Sequence, residues 1–523
     1  MDIPRKPFTI IAVGSFAPVP EGPQRAKIIP VDTANEALSN LRPAAWIPVA
    51  KEICPAGGVG VTPERMKDFS PQGMIESVKY LKDLSDAREL INRSAGLPPD
   101  DIARAVREKW PDLPLDLAVD QTKVNARERN RVDDILSMVA AEGQSHSLNS
   151  GNMESPRAFT AEIDKLLGRV LLAVFSDETF RDLEASWRGI ELITKQGPAG
   201  GAKDTRLSIV NTSRDNLTQA LRELGEACEA DPPDLVLIDF LFDNSPFSME
   251  LFEEAASFAQ NLIVPTAVNA SAGFLGLKSW NEIDHLPLIA HYIEDNPVYA
   301  KWLKLRKDPR SNWLAAACNN FCVRQAYGKD QTSRSVSFEE RSIPWIHPVF
   351  AVGTLAAQSV ALCGFASRLV DAQDIRLDGL ALHTFENGVE ASTETVFTID
   401  RLRQLGDIGL TPLAGVAMKD AACLPSARAI SGESLPFQLF FSRITGFLIR
   451  LREENGASIP DDDAAAWLTR AFETFFRLSG GHTPGDLSVN ASMNDGRLIF
   501  AINLTPPATI LSGTRRVSFT FAW

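Results

Sequence analysis

Leu235-Val-Leu-Ile-Asp-Phe240 decides how the middle of this 523-residue chain is read. It is a continuous apolar strand interrupted by one aspartate. Before it lie a strand, Leu207 to Val210, and a helix, Asp215 to Cys228, whose Leu217, Ala220, Leu221, Leu224 and Cys228 face inward. After it come a helix, Met249 to Ala259, and another apolar strand, Leu262 to Val268. Strand–helix–strand alternation with all-apolar strands marks a parallel or mixed sheet covered on both faces. Phe8 to Val13, closed by Gly14, reads as a further buried strand. The fold class is therefore α/β, mixed with α+β, in several domains of mixed sheet covered by helices.

Working outward, Val31 to Leu41 is helix-like, with Asp32 as its N-cap. Pro63 to Ile91 carries a long helical pattern, with Met74, Val78, Leu81, Leu84 and Leu90 at steps near three or four. Leu97 to Asp100 breaks it, and a short helix runs from Ile102 to Trp110. Residues 121–158 are polar, with the composition of a linker. Within them Val132, Ile135, Leu136 and Val139 fall on one face of a helix, a stripe that needs a cover. Toward the end, Ala464 to Phe476 is a strongly amphipathic helix behind Asp461-Asp-Asp463. Leu487–Met493 and Leu498–Leu504 alternate around Asn494-Asp-Gly496, a hairpin. Val517, Phe519, Phe521 and Trp523 then form the apolar face of a strand running to the last residue. The boundaries expected are 1–120, a linker at 121–158, an α/β domain at 159–330, and a final domain at 331–523.

Hydrophobic residues make up 44% of the chain and charged residues 23%, an ordinary globular balance. A formal charge of −14 argues against nucleic-acid binding, which needs clustered Lys and Arg. No stretch approaches the roughly 20 apolar residues of a membrane span, and the first residues read as a strand rather than a signal peptide. Six scattered cysteines fit a reduced, cytoplasmic chain. The sequence holds none of the nucleophile-elbow, zinc-protease, Cys-x-x-Cys or phosphate-loop motifs. The six histidines are dispersed, and Cys318 and Cys322, expected on an apolar helix, have no further ligands nearby. Asp239 ends a buried strand, where α/β enzymes place catalytic carboxylates; without a matching base it reads as a loop-capping residue. An α/β enzyme pairing Asp239 with a distant histidine is the rival reading.

Two stretches say more. Lys67-Asp68-Phe69-Ser70-Pro71, leading into Met74 to Leu90 with Arg88, resembles the small subunit of the contractile sheath of type VI secretion systems. Asp68 and Ser70 are cap-type residues there, and Pro71 suits a first helical turn. Phe180-Arg-Asp-Leu-Glu184-Ala-Ser-Trp187-Arg188-Gly189-Ile190 resembles the hallmark of the sheath large subunit, with Ile190 in place of a leucine. Leu237 to Phe242, Tyr299-x-x-Trp302-x-x-x-Arg306 and Ala326-Tyr-Gly328 followed by Phe338-Glu-Glu340 extend the likeness. The two patterns stand in one chain, in the family's gene order, and the chain is shorter than the two subunits summed.

The resemblance implies a cytoplasmic structural protomer rather than an enzyme, with no cofactor and no metal. Small and large subunits would be fused, with 1–120 the small-subunit part and 159–523 the large. Such a protomer polymerises with its own copies around an inner tube of hexameric rings, meets a baseplate, and contracts to expel the tube. Its terminal strands would interlace with neighbours, through Phe8 and Ile10 at one end and Val517, Phe519, Phe521 and Trp523 at the other. The helix of Val132, Ile135, Leu136 and Val139 would be offered to a Clp-type AAA+ ATPase after contraction. A non-contractile baseplate adaptor of the same family is the alternative within it.

Overall fold

Leu235–Phe242 is buried at every position but one, as a strand covered on both faces requires. The computed structural model describes residues 6–19, 25–115, 154–200, 204–328, 336, 338–456, 463–480, 483–494, 497–513 and 516–523. The chain forms two compact units. One comprises Met1–Leu41, Asp182–Gln325 and Ile343–Trp523; the other comprises Arg42–Arg181 and Ala326–Ser342.

The first unit is built on a seven-stranded sheet. Its strands are Phe8–Gly14 (β1), Ile28–Val31 (β2), Thr205–Asn211 (β3), Leu235–Phe242 (β4), Thr266–Ala270 (β5), Leu314–Cys318 (β6) and Leu410–Pro412 (β7). They lie in the order β7-β6-β5-β4-β1-β3-β2. All neighbours are parallel except β2, which runs antiparallel to β3 at the edge. The sheet is thus mixed, as the alternation implied. Ile11, Val13, Val236 and Ile238 share one apolar cluster with Leu221 and Leu224 of the helix Leu217–Cys228 and Phe252 and Ala255 of the helix Pro246–Leu262. The helix Pro348–Cys363, buried along most of its length, packs against the other face. A Cβ on Gly353 would lie 2.6 Å from Leu237, so glycine lets that helix settle onto β4.

A second, three-stranded antiparallel sheet closes this unit: Ser488–Asn494 (β8), Arg497–Leu504 (β9) and Val517–Ala522 (β10), with β9 central. Phe500, Ile502, Leu504 and Val517 pack onto the helices Leu435–Asn455 and Ala464–Ser479. Asp463 caps the latter, its carboxylate accepting the Ala466 N–H at 3.1 Å; Asp461 and Asp462 lie outside the described residues. The two sheets treat their edges differently. The large sheet carries Pro30 in β2 and ends in the short, buried β7 with Pro412. β8 and β10 contain no proline and no charged residue.

The second unit holds an antiparallel hairpin, Ala45–Pro48 with Gly58–Val61, and the helices Pro71–Ser77, Lys79–Arg93, Pro99–Lys109 and Glu154–Ser176. Lys79–Arg93 packs on Glu154–Ser176, bridged by Arg88 and Asp164 at 2.8 Å.

Several local expectations are corrected. The cap of the first helix is Thr33, whose hydroxyl accepts the Glu36 N–H at 3.2 Å, not Asp32. The long helical pattern breaks at Val78, which is extended. Ile263 takes a left-handed conformation that closes its helix, delaying the next strand to Thr266. Cys318 ends a strand, and Asn319 turns the chain at φ 78°, so Cys318 and Cys322 share no helix.

Candidate functional site

The helix Glu178–Lys195 carries the Phe180–Ile190 stretch. From Asp182 onward it belongs to the first unit, and each hallmark residue there meets a specific demand. Glu184 is fully buried, so its charge requires partners. Arg188, one turn on, donates from Nε to Oε1 at 2.7 Å. Arg324 grips both oxygens, Nε to Oε1 at 2.7 Å and Nη2 to Oε2 at 2.8 Å, the bidentate geometry that planar guanidinium favours. Burial opposes the charge on Glu184, yet the two guanidiniums outweigh it and hold the carboxyl below the usual carboxylate range. Trp187 donates from its indole to the Phe16 carbonyl at 2.9 Å, with the Phe16 ring edge-on at 6.0 Å. Gly189 is required by space: a Cβ there would lie 2.4 Å from the Phe350 ring.

Asp239 is the second buried carboxylate. The register of β4 against β5 shifts between Ile238 and Leu241, and such a bulge re-aims a side chain. Ser186 Oγ donates to Asp239 Oδ2 and His347 Nδ1 lies on Oδ1, both at 2.6 Å. His347 stands at the N-cap position of the helix Pro348–Cys363, where Asn269, not the imidazole, accepts the Val349 N–H at 3.0 Å. Burial disfavours protonated His347, but Asp239, aided by Asp182 and Glu394, outweighs it and raises its pKa. The carboxylate sits between serine and histidine, so the hydroxyl bonds to Asp239 and not to a base. A nucleophile needs the reverse order. This is the geometry of a clasp joining three chain segments. Among the described residues, no group of three or more His, Cys, Asp and Glu side chains is arranged to hold a metal.

In the second unit, Asp68 is buried, its Oδ2 accepting the N–H groups of Glu64 at 3.0 Å and Arg65 at 2.9 Å. Ser70 caps the helix that begins at Pro71, accepting the Gly73 N–H at 3.1 Å. Phe69 is buried against Phe180, ring centroids 5.8 Å apart. The two motifs therefore form one aromatic contact within that unit.

The strand residues divide. Phe8 and Ile10 lie in β1, whose two edges are occupied by β3 and β4 of the same chain. Val517, Phe519 and Phe521 lie in β10, which pairs with β9 on one side. Trp523 follows, its indole donating to the Gly456 carbonyl at 3.0 Å and meeting Trp467 edge-on at 5.4 Å. Val132, Ile135, Leu136 and Val139 lie outside the described residues. Sequence reasoning missed Ser186 and Arg324, and it paired Asp239 with a distant histidine only in the rival enzyme reading, without identifying His347. The signal was Asp239 itself, since a charge in an apolar strand must find partners.

The family model described as "VipB: EvpB/VC_A0108, tail sheath N-terminal domain" matches residues 157–235 and 226–431, more than half of the chain. The chain belongs to the VipB tail sheath family. It is similar to the type VI secretion system sheath protein TssC1 of Pseudomonas aeruginosa, with 23% identity over 338 residues, 58% of this chain and 67% of that protein. Among solved structures it resembles the anti-feeding prophage baseplate (TM-score 0.37, 9% identity, 62% of this chain and 79% of that one). It also resembles the contracted helical sheath of that particle (TM-score 0.36, 10% identity, 61% and 77%). The sheath tail protein Lin1278 from Listeria innocua gives a TM-score of 0.32 at 12% identity, over 58% and 59%. As a VipB-family chain, this is a structural sheath protomer of a type VI secretion or related contractile system, from a family of structural proteins that assemble with their own copies. No helix among the described residues is long and apolar enough to cross a membrane.

Proposed function

We propose that this chain is a sheath building block, with small- and large-subunit portions fused, that polymerises in the cytoplasm around an inner tube of hexameric rings and contracts to expel it. The observation that carries the fusion is β1. A strand from the portion that resembles the small subunit sits in the middle of the large sheet, between β3 and β4. That pairing makes the two portions interdependent in a fixed one-to-one ratio. Residues 1–120 are then small-subunit-like, 121–158 the linker, 159–330 and 331–523 large-subunit-like, with Met1–Leu41 folded into the larger unit.

Polymerisation is supported by the unprotected edges of β8 and β10. A sheet edge without proline or charge is a template for another strand, and main-chain bonds so formed are directional and continuous. Val517, Phe519, Phe521 and Trp523 act through that edge. Phe8 and Ile10 join protomers only if the whole of β1 exchanges into a neighbour's sheet. In this reading the chain is a structural part rather than an enzyme, and the buried Glu184 and Asp239 clasp its segments together. The stripe of Val132, Ile135, Leu136 and Val139 serves a Clp-type ATPase that dismantles spent sheaths.

Expression of this chain alone, without a second sheath gene, tests the proposal by negative-stain microscopy. Hollow striated tubes are expected. Monodisperse single particles that form tubes only with an added small subunit refute the fusion. Leu136→Asp is expected to abolish capture by the ATPase N-domain, because the new charge must be desolvated in any groove that receives it; unchanged capture refutes that role.

A further inference from the structure

The second unit carries a groove of about 600 Å³ that neither the hallmark residues nor the sheet edges use. Trp46, Tyr80 and Trp110 line it. Trp46 is 61% exposed, high for the largest apolar side chain. It is nevertheless held in place: a Cβ on Gly58 would lie 2.7 Å from its indole, so the ring rests on glycine backbone with its other side open. Tyr80 is fixed by its hydroxyl, which donates to the Ile53 carbonyl at 2.6 Å. Lys109 Nζ stands 4.5 Å over the Trp110 ring. Rigid aromatic rings with one open face are what proline-rich segments dock against, since proline loses little conformational freedom on binding. The rest of the lining is mostly apolar, and Lys79, Asp83, Lys109 and Asp112 are its charged residues.

One stretch of the chain is denser in proline than any other, with three prolines within six residues. Ala17-Pro-Val-Pro-Glu-Gly-Pro-Gln-Arg-Ala26 has prolines at 18, 20 and 23, with Glu21 and Arg25 to answer the groove's lysines and aspartates. Both its ends are tied to the first unit: the Ala17 N–H donates to Asn211 Oδ1 at 2.9 Å and the Ala26 N–H to Glu223 at 2.5 Å. We propose that the Trp46–Trp110 groove of one protomer binds the Pro18–Pro23 segment of a second copy, an inter-protomer contact separate from the sheet edges. It rests on the self-assembly of the family, and its failure would leave the tubes themselves untouched.

The probe is a fluorescently labelled peptide of residues 17–26, titrated by anisotropy into the full-length protein. Saturable binding is expected. Trp46→Ala and, independently, Trp110→Ala should each weaken it by at least about thirtyfold, as loss of a central aromatic anchor does. A Glu21→Lys peptide should bind more weakly, and most visibly so at low salt. Circular dichroism of both variants checks that the fold is kept. No binding, or equal binding by both folded variants, overturns the proposal. To identify the copy, a Pro20→Cys protein and a differently tagged Lys109→Cys protein are mixed and oxidised. A disulfide joining the two tags supports the second-copy assignment. Absence of that mixed-tag disulfide, while a single chain carrying both Pro20→Cys and Lys109→Cys closes one within itself, overturns it.

Discussion

Replacing Glu184 by glutamine tests whether the buried ion cluster holds the first unit together. The substitution keeps shape and one acceptor oxygen but leaves Arg188 and Arg324 without their counter-charge. Those side chains are only 15% and 9% exposed, so water cannot replace it. Breaking a buried pair from one side costs about 3–5 kcal/mol, because a charge is left uncompensated. Three charge-assisted bonds between 2.7 and 2.8 Å point to the upper part of that range. For a unit of this size, with about 2.1 cal/mol/K of unfolding entropy per residue, the melting temperature should fall by about 4–7 °C. pH gives a second readout. A depressed carboxylate pKa supplies stability that is full above the unfolded value, about 4.3, and is lost as pH falls through the folded one. The gap between wild type and Glu184→Gln, read by calorimetry, should therefore be constant from pH 5 to 7 and close on further acidification. A shift under about 1 °C at pH 7 refutes the reasoning. So does a gap that persists at the lowest pH where the protein is folded. Replacing all three residues with well-packed apolar side chains should cost far less than the single change, since no orphan charge remains.

Gly189→Ala should lower stability by about 1–3 kcal/mol, because its methyl overlaps the Phe350 ring; Phe350→Leu in the same chain should recover part of the loss in a denaturant titration. The raised pKa of His347 means that its bond to Asp239 contributes fully below the ordinary histidine value, about 6.5, and is lost as pH rises through the folded one. His347→Gln should erase that alkaline decline in unfolding midpoint, and an unchanged pH profile counts against the pair. Ser492→Lys with Thr520→Lys, one exposed position on each open edge, should abolish tubes while leaving the melting temperature within about 1 °C. Tubes of normal length would remove the sheet edges from the assembly scheme.

The large sheet was legible because Leu235–Phe240 and its neighbours are apolar on both faces, which only a covered strand tolerates. Its order was not. Placing Phe8–Gly14 between segments some 200 residues further on follows from tertiary pairing that no local pattern records. The helix Pro348–Cys363 escaped notice because it is apolar all round, so periodicity had nothing to mark. Cys318 was misplaced for a related reason: a short run of small apolar residues fits a helix or a buried strand equally well. Within the signature, Glu184 and Arg188 are one helical turn apart and could be paired by eye. Arg324 and His347 reach their carboxylates across 140 and 108 residues, so only the need for a partner was readable, not the partner.

The central position of β1 also bears on how the molecule is made. Synthesis is vectorial, and Phe8–Gly14 leaves the ribosome long before Thr205–Asn211 and Leu235–Phe242 exist to flank it. At about 5–20 residues per second, the strand waits roughly 10–45 s for both neighbours. Throughout that interval an apolar, charge-free segment is unpaired, the composition that feeds aggregation. A separately encoded strand would wait for a diffusing partner, at a rate set by the partner's concentration. Here the partner is delivered on the same chain, and the wait is set by the ribosome alone. Slowing translation between residues 14 and 242 should therefore lower the soluble yield more than slowing it after residue 242.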